Sequence, residues 1–176
     1  MDSVFRWCEH DNRPPIELVL RRSNRSAWPL FQKHHYLTHE LNQNAWCFVG
    51  FIASNPAVFV SVIPFPHAQR PGFREHRTVT LPDYQGVGIG NAASEAIAAL
   101  YCARGYPYFS TTSHPAMIRH RLRSKLWRAV RVQQLAAAQG ASTVQVGAFG
   151  ASSASGARFS SSFEYIGPAD PGGWPW

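Results

Sequence analysis

Hydrophobic and polar positions change rhythm several times along this chain, and each change marks an element. Ile16 to Leu20 (Ile-Glu-Leu-Val-Leu) reads as a first strand, followed by the basic turn Arg21-Arg22-Ser23-Asn24-Arg25. Ser26 is placed to cap a short helix carrying Trp28, Leu30, Phe31 and Tyr36, and a second helical piece is expected from Thr38, with Glu40 and Leu41 inside it. Two apolar runs, 45–53 and 57–63, joined by Ser54-Asn55-Pro56, predict a hairpin of mostly buried strands. Pro64-Phe65-Pro66-His67 breaks the second run, and Gln69-Arg70-Pro71-Gly72 is a loop. From Arg74 the chain rises into a strand in which Val79 and Leu81 alternate with Thr78 and Thr80. Pro82 and Asp83 end it, because proline gives no ladder donor and aspartate favours a turn.

Helical spacing then takes over, with Ile89, Ala93, Ala96, Ile97 and Leu100 on one face and Gly105 as the stop. Tyr106 to Thr112 is a further strand, ending at Ser113-His114-Pro115. Ala116 to Arg131 reads as helix, with Met117, His120/Arg121, Ser124 and Trp127/Arg128 in register. Residues 133–157 are Ala, Gly, Ser and Gln without charge, which predicts a flexible insert with a short strand at Thr143 to Phe149. Phe159 to Ile166 closes the sheet, and 168–176 is a Pro/Gly loop tail. This order predicts one α+β domain over 1–176 with a mixed sheet.

The 176 residues, 45% of them apolar, suffice for one proper core. Cys8, Cys47 and Cys102 lack C-x-x-C spacing, so neither a disulfide scaffold nor a zinc site is expected, and no metal is assigned. With no apolar run long enough to span a bilayer and no signal-peptide pattern, the sequence reads as soluble and cytoplasmic. The net charge is +7, almost all from arginine, since only Lys33 and Lys125 are lysines. Such a balance favours polyanions, nucleic acid among them, and equally suits one very anionic cofactor.

The chemistry centres on the passage from strand to helix. Glycines at 86, 88 and 90 let the main chain pass close to a bulky group, and the helix start behind them offers free N–H groups to an anion from Gln85 to Asn91. Two phosphate motifs fail here. A P-loop needs Gly-Lys-Ser/Thr where the chain has Gly90-Asn91-Ala92, and the dinucleotide fingerprint needs G-x-G-x-x-G where it has G-x-G-x-G.

What the loop does match is Gln/Arg-x-x-Gly-x-Gly/Ala, as Gln85-Gly86-Val87-Gly88-Ile89-Gly90 after Leu81-Pro82. It resembles the acetyl-CoA pyrophosphate loop of the GNAT (GCN5-related N-acetyltransferase) superfamily. The order of elements over 16–166 is similar too. That resemblance implies a mixed, mostly antiparallel sheet flanked by helices, its strands splayed where the pantetheine arm lies. A narrower resemblance runs through Trp28-Pro29-Leu30-Phe31, His34-His35-Tyr36-Leu37, Ser113-His114-Pro115-Ala116-Met117-Ile118-Arg119-His120-Arg121 and Ser162-Phe163-Glu164-Tyr165-Ile166-Gly167. These stretches look like a branch found in phages and prophages and beside ABC-type ATPases. The His-Tyr-Leu element is similar to one in Mom-type DNA-modification proteins.

By that resemblance the cofactor is acetyl-CoA or another acyl-CoA, and the activity is acyl transfer to an amine. The Gln85–Asn91 main chain and the Gln85 side chain would hold the pyrophosphate, with Val87 and Ile89 inside the loop. Val79, Thr80 and Leu81 would pair with the pantetheine amides, and Arg119 and Arg123 would meet the adenosine 3′-phosphate. The general base is left open. Glu75, on the strand leading to the loop and sharing a face with Arg77, Val79 and Leu81, is one candidate, the alternative being a salt bridge with Arg74 or Arg77. His34 and His35 are two more, imidazole titrating near neutral pH, with Tyr36 beside them. His114 is the fourth, with Ser113 next to it as a donor to the thiolate. Ser113-His114-Pro115 also reads as a plain helix cap. Cys47 and Cys102 read as core.

The acceptor amine is sought on nucleic acid, as in phage base hypermodification, or on a small molecule or protein. A nucleic-acid-binding module with a vestigial loop is the non-enzymatic alternative. The arginines of 119–131, with Arg21, Arg22 and Arg25, leave room for a phosphate-backbone groove. A homodimer is left open.

Overall fold

A computed structural model describes residues 3–7, 16–35, 40–66, 70–132 and 160–170. Eight strands form one sheet: β1 (Ser3–Trp7), β2 (Ile16–Ser23), β3 (Trp46–Ile52), β4 (Asn55–Phe65), β5 (Gly72–Thr80), β6 (Tyr108–Thr112), β7 (Trp127–Val132) and β8 (Ser161–Tyr165). Their order is β1-β2-β3-β4-β5-β6-β8-β7, and every pair is antiparallel except β5 with β6. Three α-helices accompany them: α1 (Trp28–Gln32), α2 (Ile89–Cys102) and α3 (Pro115–Arg123). No helix among the described residues is long and apolar enough to cross a membrane.

Alternation along β4 divides the core between the two faces of the sheet. Val58, Val60 and Val62 join Leu18, Leu20 and Phe48 under Ile89, Ala93, Ile97 and Leu100 of α2. Phe59 turns the other way, where Cys47, Val49 and Val79 pack against Trp28 and Phe31 of α1.

Two irregularities shape the site. The β5–β6 ladder consists of Phe73↔Tyr108 and Arg74↔Phe109, so β5 runs on from Glu75 to Thr80 with no strand partner on that side. The sheet is therefore splayed where the resemblance required it. On its other side β5 carries a bulge, since Ser61 pairs with Arg77 and Val62 with Glu75, leaving His76 over.

Three sequence expectations are corrected. Residues 40–42 are irregular, not helical, and Thr38 lies outside the described residues. The helix expected over 116–131 ends at Arg123. Ser124 is extended (φ −73°, ψ 134°), and its Oγ accepts the Leu126 N–H at 3.2 Å, closing a turn into β7. Arg128 and Arg131 therefore sit on β7, whose residues 128–131 are all exposed. The strand expected from Tyr106 begins at Tyr108, and β1, whose Val4, Phe5 and Trp7 are apolar, was not among the expected strands. The strand expected at 143–149 and the insert of 133–157 fall outside the described residues.

Candidate active site

β5 delivers the chain into the glycine loop through a fixed corner. The Leu81 N–H donates to the Ala57 carbonyl at 2.9 Å, residues Pro82–Tyr84 form one 3-10 turn, and Gln85 Nε2 donates back to the Thr80 carbonyl at 2.9 Å. Gly86 and Gly88 then take positive φ (82° and 84°), a region L-residues enter at a cost of roughly 1–2 kcal/mol. Gly88 is the N-cap of α2 and offers no side-chain cap, so the helix's first N–H groups stay unmatched from that side. Gly90 lies against β5, where an added Cβ would stand 2.9 Å from Thr80 Oγ1. The Asn91 amide oxygen is buried without a hydrogen-bond partner.

This corner floors a cavity of about 980 Å³. Thr78, Val79, Thr80, Tyr84, Gln85, Gly86, Gly88, Ile89, Gly90 and Asn91 line one wall. α3 and its approach make the second, with His114, Met117, Arg119, His120 and Arg123. His34 and His35, just after α1, make the third. His35 is buried, its ring edge-on to Trp28 with centroids 6.0 Å apart. His120 Nε2 meets Glu95 Oε1 of α2 at 2.8 Å, and Trp127 Nε1 donates to the same oxygen at 3.0 Å.

Most of the residues expected in the cofactor cleft thus come together, but some do not. Val87 packs against the α2 core, and Leu81 packs on the α1 side with its N–H already spent on β4. The Gln85 side chain braces the corner by holding Thr80. Ser113 does not line the cavity, the N-cap of α3 being His114, whose N–H donates to Thr112 Oγ1 at 3.1 Å. Tyr36 lies outside the described residues. Cys47 is buried and its thiol pushed up by burial; Cys102 is half-buried and shifted the same way.

Glu75 is the main departure. The extra residue at His76 turns the Glu75 side chain away from the face of Val79 and onto the α2 face, which it shares with Thr78. There the carboxylate is buried, 2.7 Å from Arg121 Nη2 and 2.7 Å from Ser94 Oγ, and it also accepts from Thr78 Oγ1. Burial raises its pKa, but Arg121 and the three hydrogen-bond donors outweigh that and hold the carboxyl below its ordinary value. It does not line the cavity. The carboxylate secures Arg121, which is itself 1% exposed, bonds Ser110 Oγ and lies 4.4 Å over the Trp127 ring.

His120, Met117 and Tyr84 line the site without having been singled out as site residues. His120 lay in plain view at helical spacing from its neighbours; only its partner Glu95, 25 residues away, gives it significance. His76, on the bulge, accepts the Asn42 N–H at 3.1 Å. Its pKa is pushed down to about 4, first by burial and then by Arg77, Arg74 and His35.

No family model and no curated protein matches this sequence. Solved structures do match its fold. The ribosomal-protein-S18-alanine N-acetyltransferase from Escherichia coli superposes with a TM-score of 0.55 at 13% identity, over 84% of this chain and 92% of that one. A GNAT family acetyltransferase from Elizabethkingia anophelis with acetyl-CoA bound gives 0.55 at 8% identity, over 89% and 99%. Arabidopsis thaliana Naa50 in complex with a bisubstrate analogue gives 0.54 at 8%, over 84% and 97%. The fold is that of the GNAT acetyltransferases.

Proposed function

We propose that this chain is an acyl-CoA-dependent N-acyltransferase. The observation that carries the reading is the bare main chain of Gly86 and Gly88 at the start of α2, opening onto a large cavity beside the unpaired edge of β5. The residues fit the ligand. N–H groups of the loop and the first turn of α2 would hold a diphosphate, with the positive end of the helix dipole behind them. Thr78 to Thr80 have no strand on the β6 side and leave main-chain groups for the pantetheine amides, while Arg119 and Arg123 stand exposed on the opposite wall for a phosphate.

Bound there, an acyl-CoA supplies an acyl group already activated as a thioester. The protein must then keep the amine neutral, and for that we assign His35, a cavity imidazole anchored by burial and by Trp28. Glu75 cannot serve, its carboxylate being committed to Arg121. The acceptor is an amine. The narrower resemblance to phage-associated and Mom-type proteins, together with the +7 charge, supports one on nucleic acid; a small molecule or protein is the alternative.

Calorimetry with acetyl-CoA tests the reading. Binding at tens of micromolar or tighter is expected, and Gly88→Glu should remove it by placing bulk and negative charge in the cradle. Undiminished affinity in that variant, or no binding by the wild type, overturns the assignment.

A further inference from the structure

The cradle is main chain, but an ionisable side chain on the facing wall is tied to the helix that starts there. Glu95 is the one acidic residue of α2. It lies one turn beyond Asn91 on the same helix face, about 6 Å along the axis. Its Oε1 accepts the Trp127 Nε1–H at 3.0 Å and meets His120 Nε2 at 2.8 Å. A carboxylate only accepts, so Nε2 carries the hydrogen of that contact. His120 lines the cavity, its side chain 40% exposed, and its Nδ1 makes no hydrogen bond among the described residues.

What this wall offers an anion is therefore decided at Nδ1. In the neutral ring Nδ1 carries a lone pair and repels a phosphate oxygen; in the imidazolium both nitrogens donate. Each element beside the ring contributes its own groups. From α2 the charge is Glu95; from β7 it is the neutral Trp127, while Arg128 is taken up by Glu164. On α3 itself Arg119 and Arg123 line the same wall, and Arg121 is core, held by Glu75. His114 starts α3, and His34 and His35 stand on the other wall of the cavity.

Resting on the transferase reading, we infer that His120 is a ligand of the cofactor's diphosphate and binds it as the imidazolium. Nε2–H stays on Glu95 and Nδ1–H is given to a phosphate oxygen, a charge-assisted contact on each side of the ring. The second hydrogen comes from solvent, so cofactor binding is coupled to uptake of a proton. Glu95 is the positioning residue: it fixes which nitrogen faces the cavity, and its charge favours the cation. The sign follows from the uptake. Binding is strongest where the free imidazole is already protonated, and it weakens as pH rises.

The probe is 3′-dephospho-CoA, whose diphosphate does not titrate near neutral pH, whereas the 3′-phosphate of CoA does. Calorimetry in two buffers of different ionisation enthalpy gives the protons taken up per molecule bound. The wild type should take up a proton near neutral pH and lose about tenfold in affinity between pH 6 and pH 8.5. His120→Gln should remove that uptake, matching the wild type at pH 8.5 and binding about tenfold more weakly at pH 6. Glu95→Gln, which keeps a hydrogen-bonding partner but not the charge, should lower the uptake too. The other cavity histidines are common to all three proteins, so the differences belong to His120. A side chain that merely props α3 against α2 would change stability in urea and leave the proton count alone. Uptake unchanged by His120→Gln or by Glu95→Gln, or binding without uptake in the wild type, overturns the inference and leaves the transferase reading standing. Uptake with acetyl-CoA alone would put the imidazole at the 3′-phosphate and overturn the diphosphate assignment. No binding of either cofactor by the wild type would overturn both readings.

Discussion

At the scale of single residues, the site depends on positions where a side chain is missing. Gly86 and Gly105 make a matched pair: φ is +82° at one and +80° at the other, and an added Cβ meets nothing within 4 Å at either. Gly86 faces the cavity while Gly105 follows the far end of α2. Gly86→Glu and Gly105→Glu should therefore cost similar stability, about 1–2 kcal/mol each from the left-handed backbone. Only Gly86→Glu should lose acetyl-CoA affinity, by tenfold or more. Urea denaturation and calorimetry on the two variants give both numbers. Equal loss of affinity in both would mean that strain, not the cradle, governs binding.

At the scale of elements, the sequence showed the glycine loop, α2 and the β3–β4 hairpin clearly because a single period governs each. It failed where two signals competed. Arg119, Arg121, Arg123, Arg128 and Arg131 imitate a solvated helix face, yet Arg121 is core and Arg128 is on a strand paired to Glu164. Side-chain alternation put Glu75 on the face of Val79, and one extra residue at His76 reversed it; a bulge leaves no mark in composition. The site was legible as far as its main chain, and its side-chain partners were not, because Glu75–Arg121 and Glu95–His120 join residues 46 and 25 apart. The buried pair ties β5 to α3, with Ser94 of α2 and Ser110 of β6 completing it. Arg121→Met alone strands a buried carboxylate and should cost about 3–5 kcal/mol, while Glu75→Leu with Arg121→Met should recover most of that loss. Because the Glu75 carboxyl titrates below its ordinary value, the stability it contributes is present above the unfolded-state pKa and is lost as pH falls through the folded one. The double variant should flatten that acid limb in denaturation experiments across pH. Full folding stability in Glu75→Gln with loss of kcat alone would restore Glu75 as a base.

At the scale of the whole molecule, the question is whether a charge of +7 is gathered into a surface. Arg21 and Arg22 ride on β2, and Arg25 donates to the Leu41 carbonyl. Arg119 and Arg123 stand on α3, and Arg131 on β7. β2 and β7 are six places apart in the sheet, about 29 Å at the usual strand spacing, so the arginines grouped by sequence are dispersed by the fold. Each phosphate neutralised contributes a slope of about −0.7 to −0.9 in log affinity against log salt. A scattered set reaching three or so phosphates at once predicts a slope no steeper than about −3 for a 20-mer oligonucleotide. Since Arg119 and Arg123 also line the cavity, saturating acetyl-CoA should weaken that binding and lower the slope further. Fluorescence anisotropy between low and physiological salt, with and without acetyl-CoA, measures both. A slope near −6, unaffected by acetyl-CoA, would instead require a continuous phosphate-binding groove separate from the cavity, and the nucleic acid would then be bound for its own sake rather than as the carrier of one amine.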